Sequence, residues 1–201
     1  KILYKLQRAI YDNSQGICTR LLYPSLTRSK LKGSQQRRIY LPEFCWGNIP
    51  AAKKLSDVDG KLRVVHGGTF LPESVSGVEH TGFLWLAKKA EILDIYFHLY
   101  SSNDETNDMS DYETIAVESE RFFLHEKTDP QNFVSEIEKY DVGIGINYPR
   151  TVAERAKVSA TQDPSGTWAS KCADYIDAGL YVLWNWRATA TNFILKRYKI
   201  G

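Results

Sequence analysis

The chain has 201 residues, 43% of them hydrophobic, 25% charged and 12% aromatic. That composition can bury a core, and it excludes a disordered tail, a collagen-like repeat and a disulfide miniprotein. The formal charge of +2 conceals a division: residues 1–40 hold nine Lys or Arg against one acid, Asp12, and the rest holds 17 basic and 23 acidic residues.

Residues 1–57 differ in kind from the remainder of the chain. Ile2, Leu6, Ala9 and Ile10 suit a short helix. Beyond it, Tyr23-Pro24, Lys32-Gly33-Ser34, Tyr40-Leu41-Pro42 and Ile49-Pro50 read as turns and extended linker without an independent core. The first residues, Lys1-Ile2-Leu3-Tyr4-Lys5, form no signal peptide, and the chain reads as a piece of something longer. No apolar run approaches the roughly 20 residues that span a bilayer. Cys18, Cys45 and Cys172 have no metal-type spacing and cannot all pair, which favours a reducing, cytoplasmic compartment.

From Leu62 onward, strand-like and helix-like segments alternate. Leu62–His66 is a short β-rich run that Gly67-Gly68 is expected to end. Phe83, Leu86, Ala87 and Ala90 mark one face of a helix, and Ile95–Tyr100 is a second strand. Residues 101–113 are polar enough to lie wholly on the surface. Arg121–His125 is a third strand. Asp129-Pro130 reads as a helix start, an N-cap followed by proline, with Phe133, Ile137 and Tyr140 as the buried stripe.

Val142–Ile146 is a fourth strand, with glycine at two of its positions. A long loop over residues 147–168 separates it from a helix that Ser170 can cap and Gly179 ends. Leu180–Trp184 is a fifth strand, and residues 188–198 form a last amphipathic helix. Short strands alternating with helices predict an α/β fold, a Rossmann-like doubly wound parallel sheet preceded by a helical and connector segment. Ligands of such sheets bind outside the carboxyl ends of the strands.

Those ends hold the candidate residues. Gly67-Gly68 can let backbone amides approach a phosphate or sugar, although two glycines can equally make a plain tight turn. Lys171 and Asp174 share a helix face; together they suit a diphosphate and ribose hydroxyls, or else form a surface salt bridge. His66 and His125 fall at strand ends on that same rim. His98 lies inside a strand, and His80 precedes a helix. No H-E-x-x-H pair, G-x-S-x-G elbow or thiol signature occurs. The basic head lacks a recognisable nucleic-acid-binding fold, so nucleic acid is not the expected partner.

Asp141-Val142-Gly143-Ile144-Gly145-Ile146, the long loop, and Ser170-Lys171-Cys172-Ala173-Asp174-Tyr175-Ile176-Asp177-Ala178-Gly179-Leu180-Tyr181-Val182-Leu183 resemble the donor-binding half of GT-B glycosyltransferases of the "glycosyl transferases group 1" type. The resemblance covers residues 58–201 and implies a nucleotide-sugar-binding domain, with residues 1–57 as the end of an N-terminal domain and the interdomain connector. It implies Gly67, Gly68 and Thr69 against the phosphates or donor sugar, and Leu124, His125 and Glu126 flanking the base. Lys171, behind Ser170, would face the diphosphate, and Asp174 the ribose. The chain departs from the family in having Gly166 where a Glu is common, Asp174 for the longer Glu, and nothing basic between Thr69 and Lys88.

The activity so implied is transfer of a hexose from a nucleotide-sugar to a glycan or lipid-linked acceptor, with the donor as substrate and neither cofactor nor metal. This stretch is not expected to catalyse transfer by itself, because the acceptor-binding half lies outside it. The alternative is a non-catalytic interaction module derived from such a domain, docking to an anionic membrane surface or partner through its basic N-terminal segment. A third is a flavodoxin-like protein with another ligand.

Overall fold

The computed structural model describes residues 16–19, 37–40, 52–68, 83–101, 109–145, 170–184, 195–197 and 199. Two short strands, β1 (Gly16–Thr19) and β2 (Arg37–Tyr40), pair in parallel. This pairing was not anticipated from sequence, which reads the region as turns and linker; four-residue strands with 17 residues between them leave no local signal of their partner. The expected helix over Ile2–Ile10 lies outside the described residues.

The main sheet has five parallel strands: β3 (Arg63–Gly68), β4 (Tyr96–Ser101), β5 (Phe122–His125), β6 (Val142–Gly145) and β7 (Tyr181–Trp184). Their order is β5-β4-β3-β6-β7. The connected helices are α1 (Ser56–Asp59), α2 (Phe83–Lys89), α3 (Ser110–Glu118), α4 (Phe133–Ile137) and α5 (Ser170–Asp177). The chain runs outward from β3 to β5, then crosses back to β6 and β7. This order makes the Rossmann-like doubly wound fold, with its direction reversing at β3 and β6.

Period-two alternation divides the sheet between two cores. One face carries Val64, Phe97, Leu99 and Phe122, packed by Phe83, Leu84, Leu86 and Ala87 of α2 and Tyr112 of α3. The other carries Val65, Tyr100 and Val182, packed by Ile137 of α4 and by Cys172 and Tyr175 of α5. Each fully buried large side chain among these contributes about 1.5–3 kcal/mol of transfer free energy.

Three elements differ from the sequence expectation. The polar run 101–113 is not all surface: Ser101 completes β4, and α3 begins at Ser110 and buries Tyr112 at 2% exposure against Phe122. Tyr112 is joined by Ile115 and Ala116 against the same core, a stripe at i, i+3 and i+4 that is only three residues long among Ser, Asp, Glu and Thr. Asp129-Pro130 opens a turn rather than the helix, with the Asp129 carboxylate accepting from Gln131 N and its carbonyl from Asn132 N. Helix α4 spans only Phe133–Ile137; Phe133 and Ile137 face inward from it, and Tyr140 joins the same core from beyond its end. Finally, β3 does not stop at the glycines. Gly67 and Gly68 pair with Tyr100 and Ser101 as its last two residues.

The end of α5 is as expected. Gly179 has φ +65°, its N–H bonds to the Ile176 carbonyl, and Leu180 N bonds to the Tyr175 carbonyl. That is the Schellman arrangement, which ends the helix and turns the chain directly into β7. Ser170 is the first residue of α5. The loop 147–168 and most of the expected helix 188–198 lie outside the described residues, though Leu195 is buried in the α4/α5 core.

The sheet's amino-terminal edge is tied by Asp141. Its carboxylate accepts from Arg63 N at 2.8 Å and from the Ser56 hydroxyl. Lys54 Nζ donates to the carbonyls of Glu138 at 2.8 Å and Ala178 at 3.4 Å, the residues just beyond α4 and α5. Residues 54–56 are thus bonded to the edge opposite the ligand rim.

Candidate functional site

Between β3 and β4 the ladder runs for six residue pairs, Arg63↔Tyr96 through Gly68↔Ser101. Between β3 and β6 it runs for two, Val64↔Val142 and Val65↔Gly143. The two central strands therefore part toward their carboxyl ends, at the point where the chain reverses direction. Side chains bridge the gap. His66 Nδ1 donates to the Ile144 carbonyl at 2.8 Å, while the Tyr175 hydroxyl accepts from Gly67 N at 3.2 Å and faces the same carbonyl at 3.3 Å. Gly143 makes room for Tyr175, since a Cβ there would meet its ring at 2.3 Å.

This geometry moves His66 from the rim, where sequence placed it, into the strand. It is 1% exposed with its ring 3.9 Å from that of Phe83. Burial, with help from the Lys171 charge, brings its pKa down to about 3 against the pull of the Ile144 carbonyl. His66 is a neutral structural donor. Burial likewise raises the Tyr175 hydroxyl above its ordinary value, so it stays protonated as a bridge.

Above the bridge lies the mouth. Gly68 ends β3 with φ +134°, a conformation that side-chain-bearing residues avoid. A Cβ at Gly68 would lie 2.0 Å from both Cε and Nζ of Lys171, so the ammonium sits directly over the glycine. Gly67 is covered by Phe133, whose ring would meet a Cβ there at 2.0 Å. Burial pushes Lys171 below its ordinary pKa, while the Asp174 carboxylate acts against that shift. A half-buried lysine held at a strand end is no exposed surface salt bridge. It is a cation already partly stripped of water at the place where such folds take anions.

The structure thus brings together Gly67, Gly68, Lys171 and Asp174. The placement of Thr69 and of the Ser170 side chain lies outside the described residues. Leu124 and His125 end β5, two strands away from β3, and Glu126 follows them. Leu124 packs against the α2/α3 core, His125 is half-buried on the opposite face, and Glu126 is exposed. His125 lies in register with Tyr100, ring on ring at 4.2 Å and 6°. The Tyr100 hydroxyl donates to Glu136 at 2.9 Å and meets the Tyr140 hydroxyl at 2.8 Å, and Lys139 also donates to Glu136 at 2.5 Å.

Sequence reasoning missed Tyr175 as the bridge and Phe133 as the cover over Gly67. A signal for Tyr175 existed: glycines at alternate positions of a strand require something large above them. Among the described residues, no group of three or more His, Cys, Asp or Glu side chains could hold a metal ion. No helix there is long and apolar enough to cross a membrane.

No protein-family model matches the chain, and no curated protein does. Solved structures do. One is the pneumococcal O-GlcNAc transferase GtfA in complex with UDP and GlcNAc, with a TM-score of 0.52 at 12% identity, covering 92% of this chain and 32% of that one. Another is the GtfA/B complex, with a TM-score of 0.50 at 9% identity, covering 92% of this chain and 33% of that one. The chain spans about a third of the length of these structures. At such identities the likeness establishes a shared Rossmann-like α/β architecture.

Proposed function

We propose that residues 58–201 are the donor-binding half of a GT-B glycosyltransferase of the group 1 type, which moves a hexose from a nucleotide-sugar to a glycan or lipid-linked acceptor. Residues 1–57 are then the end of the N-terminal domain and its connector. The observation that carries this reading is the Lys171 ammonium lying over Gly68 where β3 and β6 part. Support comes from the architecture shared with a solved O-GlcNAc transferase that holds UDP.

In this reading the donor diphosphate lies against Gly67, Gly68 and Thr69, approaching the backbone at Gly68, where no side chain stands, while Gly67 N stays bonded to the Tyr175 hydroxyl. Lys171, beside Ser170, faces the phosphates and offsets the charge that grows on the leaving diphosphate as the glycosidic bond breaks. Partial desolvation strengthens that interaction over what an exposed lysine could offer. Asp174, one helical turn further on, accepts from the ribose hydroxyls and keeps Lys171 charged. Leu124, His125 and Glu126 flank the base. The basic residues of 1–40 suit an anionic membrane surface, in keeping with a cytoplasmic protein peripheral to a membrane.

Calorimetric titration of the 201-residue chain with UDP-, GDP- and ADP-hexoses tests this. One of the three should bind, and Lys171→Met should weaken that binding at least tenfold, the scale of one lost hydrogen bond to a charged group. No heat with any of them would overturn the reading.

A further inference from the structure

His98 is 8% exposed in the middle of β4, its ring 4.7 Å from that of Phe123 and 4.3 Å from that of Tyr140. Its Nδ1 lies 3.0 Å from Nε2 of His125. Its Nε2 is sealed from solvent and has no hydrogen-bond partner among the described residues. A neutral imidazole carries one proton, so the His98–His125 pair has two arrangements.

If His125 Nε2 donated, His98 would hold its own proton on the sealed Nε2, an N–H with no acceptor. That forfeits a hydrogen bond which water supplies in the unfolded chain. If His98 Nδ1 donates, the sealed Nε2 is a bare lone pair, the lesser loss. His66 shows the second arrangement in the same sheet: its Nδ1 donates to the Ile144 carbonyl while its Nε2 is equally sealed and unpartnered. His125 then accepts a hydrogen bond at Nε2 and, being neutral, carries its own proton on Nδ1. His125 is half-buried, and its ring lies flat on Tyr100 at the carboxyl end of β5. Glu136, the carboxylate that faces His125, is already engaged by Tyr100 and Lys139.

We infer that His98 fixes His125 as an Nδ1–H donor, and that the base site so made selects a keto edge, uracil or guanine, over an amino edge, cytosine or adenine. The inference rests on the donor-site reading, in which His125 flanks the base. Uracil O4 and guanine O6 can accept from this N–H. Cytosine and adenine present an amino group at the corresponding atom, and two donors then face each other. His125 is the residue that touches the base; His98 is a positioning residue that acts through it.

Two measurements on the full 201-residue chain test this together. Long-range ¹⁵N–¹H correlation spectra report which ring nitrogen of each histidine is protonated, and need no variant. Calorimetry compares UDP with CDP and GDP with ADP for the wild type, His125→Phe and His98→Phe. The expected result is protonated Nδ1 on both His98 and His125, with each keto nucleotide binding about tenfold tighter than its amino counterpart. That ratio should fall toward one in His125→Phe, which keeps the ring stack, and shrink in His98→Phe, which frees the tautomer. Protonated Nε2 on His125, or nucleotide binding without the keto preference, overturns the inference and leaves the donor site standing. Absence of binding by all four nucleotides overturns the donor-site reading, and the inference with it.

Discussion

Lys171 occupies the space that a side chain at position 68 would need: a Cβ on Gly68 would stand 2.0 Å from the lysine's Cε and Nζ. The helix α5 and the strand β3 are 103 positions apart in sequence at these two residues, yet each determines what the other can be. Gly68→Ala should displace the ammonium and also force alanine into φ +134°. The lysine tip can swing aside at little cost, so the backbone strain should dominate stability, at about 1–3 kcal/mol in urea unfolding. Diphosphate affinity should fall together with it.

Lys171→Met separates those two effects. It removes the charge but keeps the packed stem, so the urea midpoint should hold or rise, since a partly buried ammonium no longer has to be desolvated. Diphosphate binding should weaken by about 10- to 100-fold. A variant that lost stability and binding in proportion would point to a structural lysine.

Tyr175→Phe removes the hydroxyl that accepts from Gly67 N and faces the Ile144 carbonyl. Gly67 N is left without that partner at a buried strand end, at a cost of about 1–3 kcal/mol. Amide exchange should quicken first at Gly67 and Gly68. Gly143→Ala presses on the same tyrosine from below, and overpacking should cost about 1–3 kcal/mol.

Stability should fall with acid in a manner set by histidine. His66 and His98 have folded pKa values near 3, both chiefly through burial; Lys171 also bears on His66, and His125, Arg63 and Lys139 on His98. The unfolded chain binds their protons below about pH 6.5. Both are neutral above that pH, where their contribution to stability is complete, and it is lost as the pH falls toward 3. Each can contribute a slope of up to about 1.4 kcal/mol per pH unit. Urea midpoints from pH 7 to 4 should show this, and His66→Gln, whose amide can still donate to Ile144, should flatten the curve.

At the opposite edge, Asp141→Ala should cost about 1–3 kcal/mol by orphaning Arg63 N and the Ser56 hydroxyl, while leaving nucleotide affinity of the folded fraction unchanged. Thermal unfolding and titration at one temperature check both halves.

The five strands of the main sheet were legible because their apolar runs are short and bounded by polar or glycine-containing segments, and the Ala178-Gly179 helix end because its chemistry is local. The doubly wound parallel sheet and the placing of Lys171 and Asp174 near its rim followed from topology rules applied to that alternation. What was not legible depended on single long-range contacts. Tyr175 crosses from α5 to the gap between β3 and β6, and His66 turns inward with Phe83 against it. Neither leaves a period in the sequence. Asp129-Pro130 misled for a different reason, since the same pair that opens a helix also opens a plain turn.

Amide chemical-shift mapping of the chain on addition of UDP, GDP and ADP in turn tests the central claim most directly. Binding at the parted ends of β3 and β6 predicts saturable shifts largest at Gly67, Gly68 and Lys171, with little change among Arg28, Lys30, Lys32, Arg37 and Arg38. Shifts confined to that basic segment and abolished by salt, or no shifts at all, would contradict it.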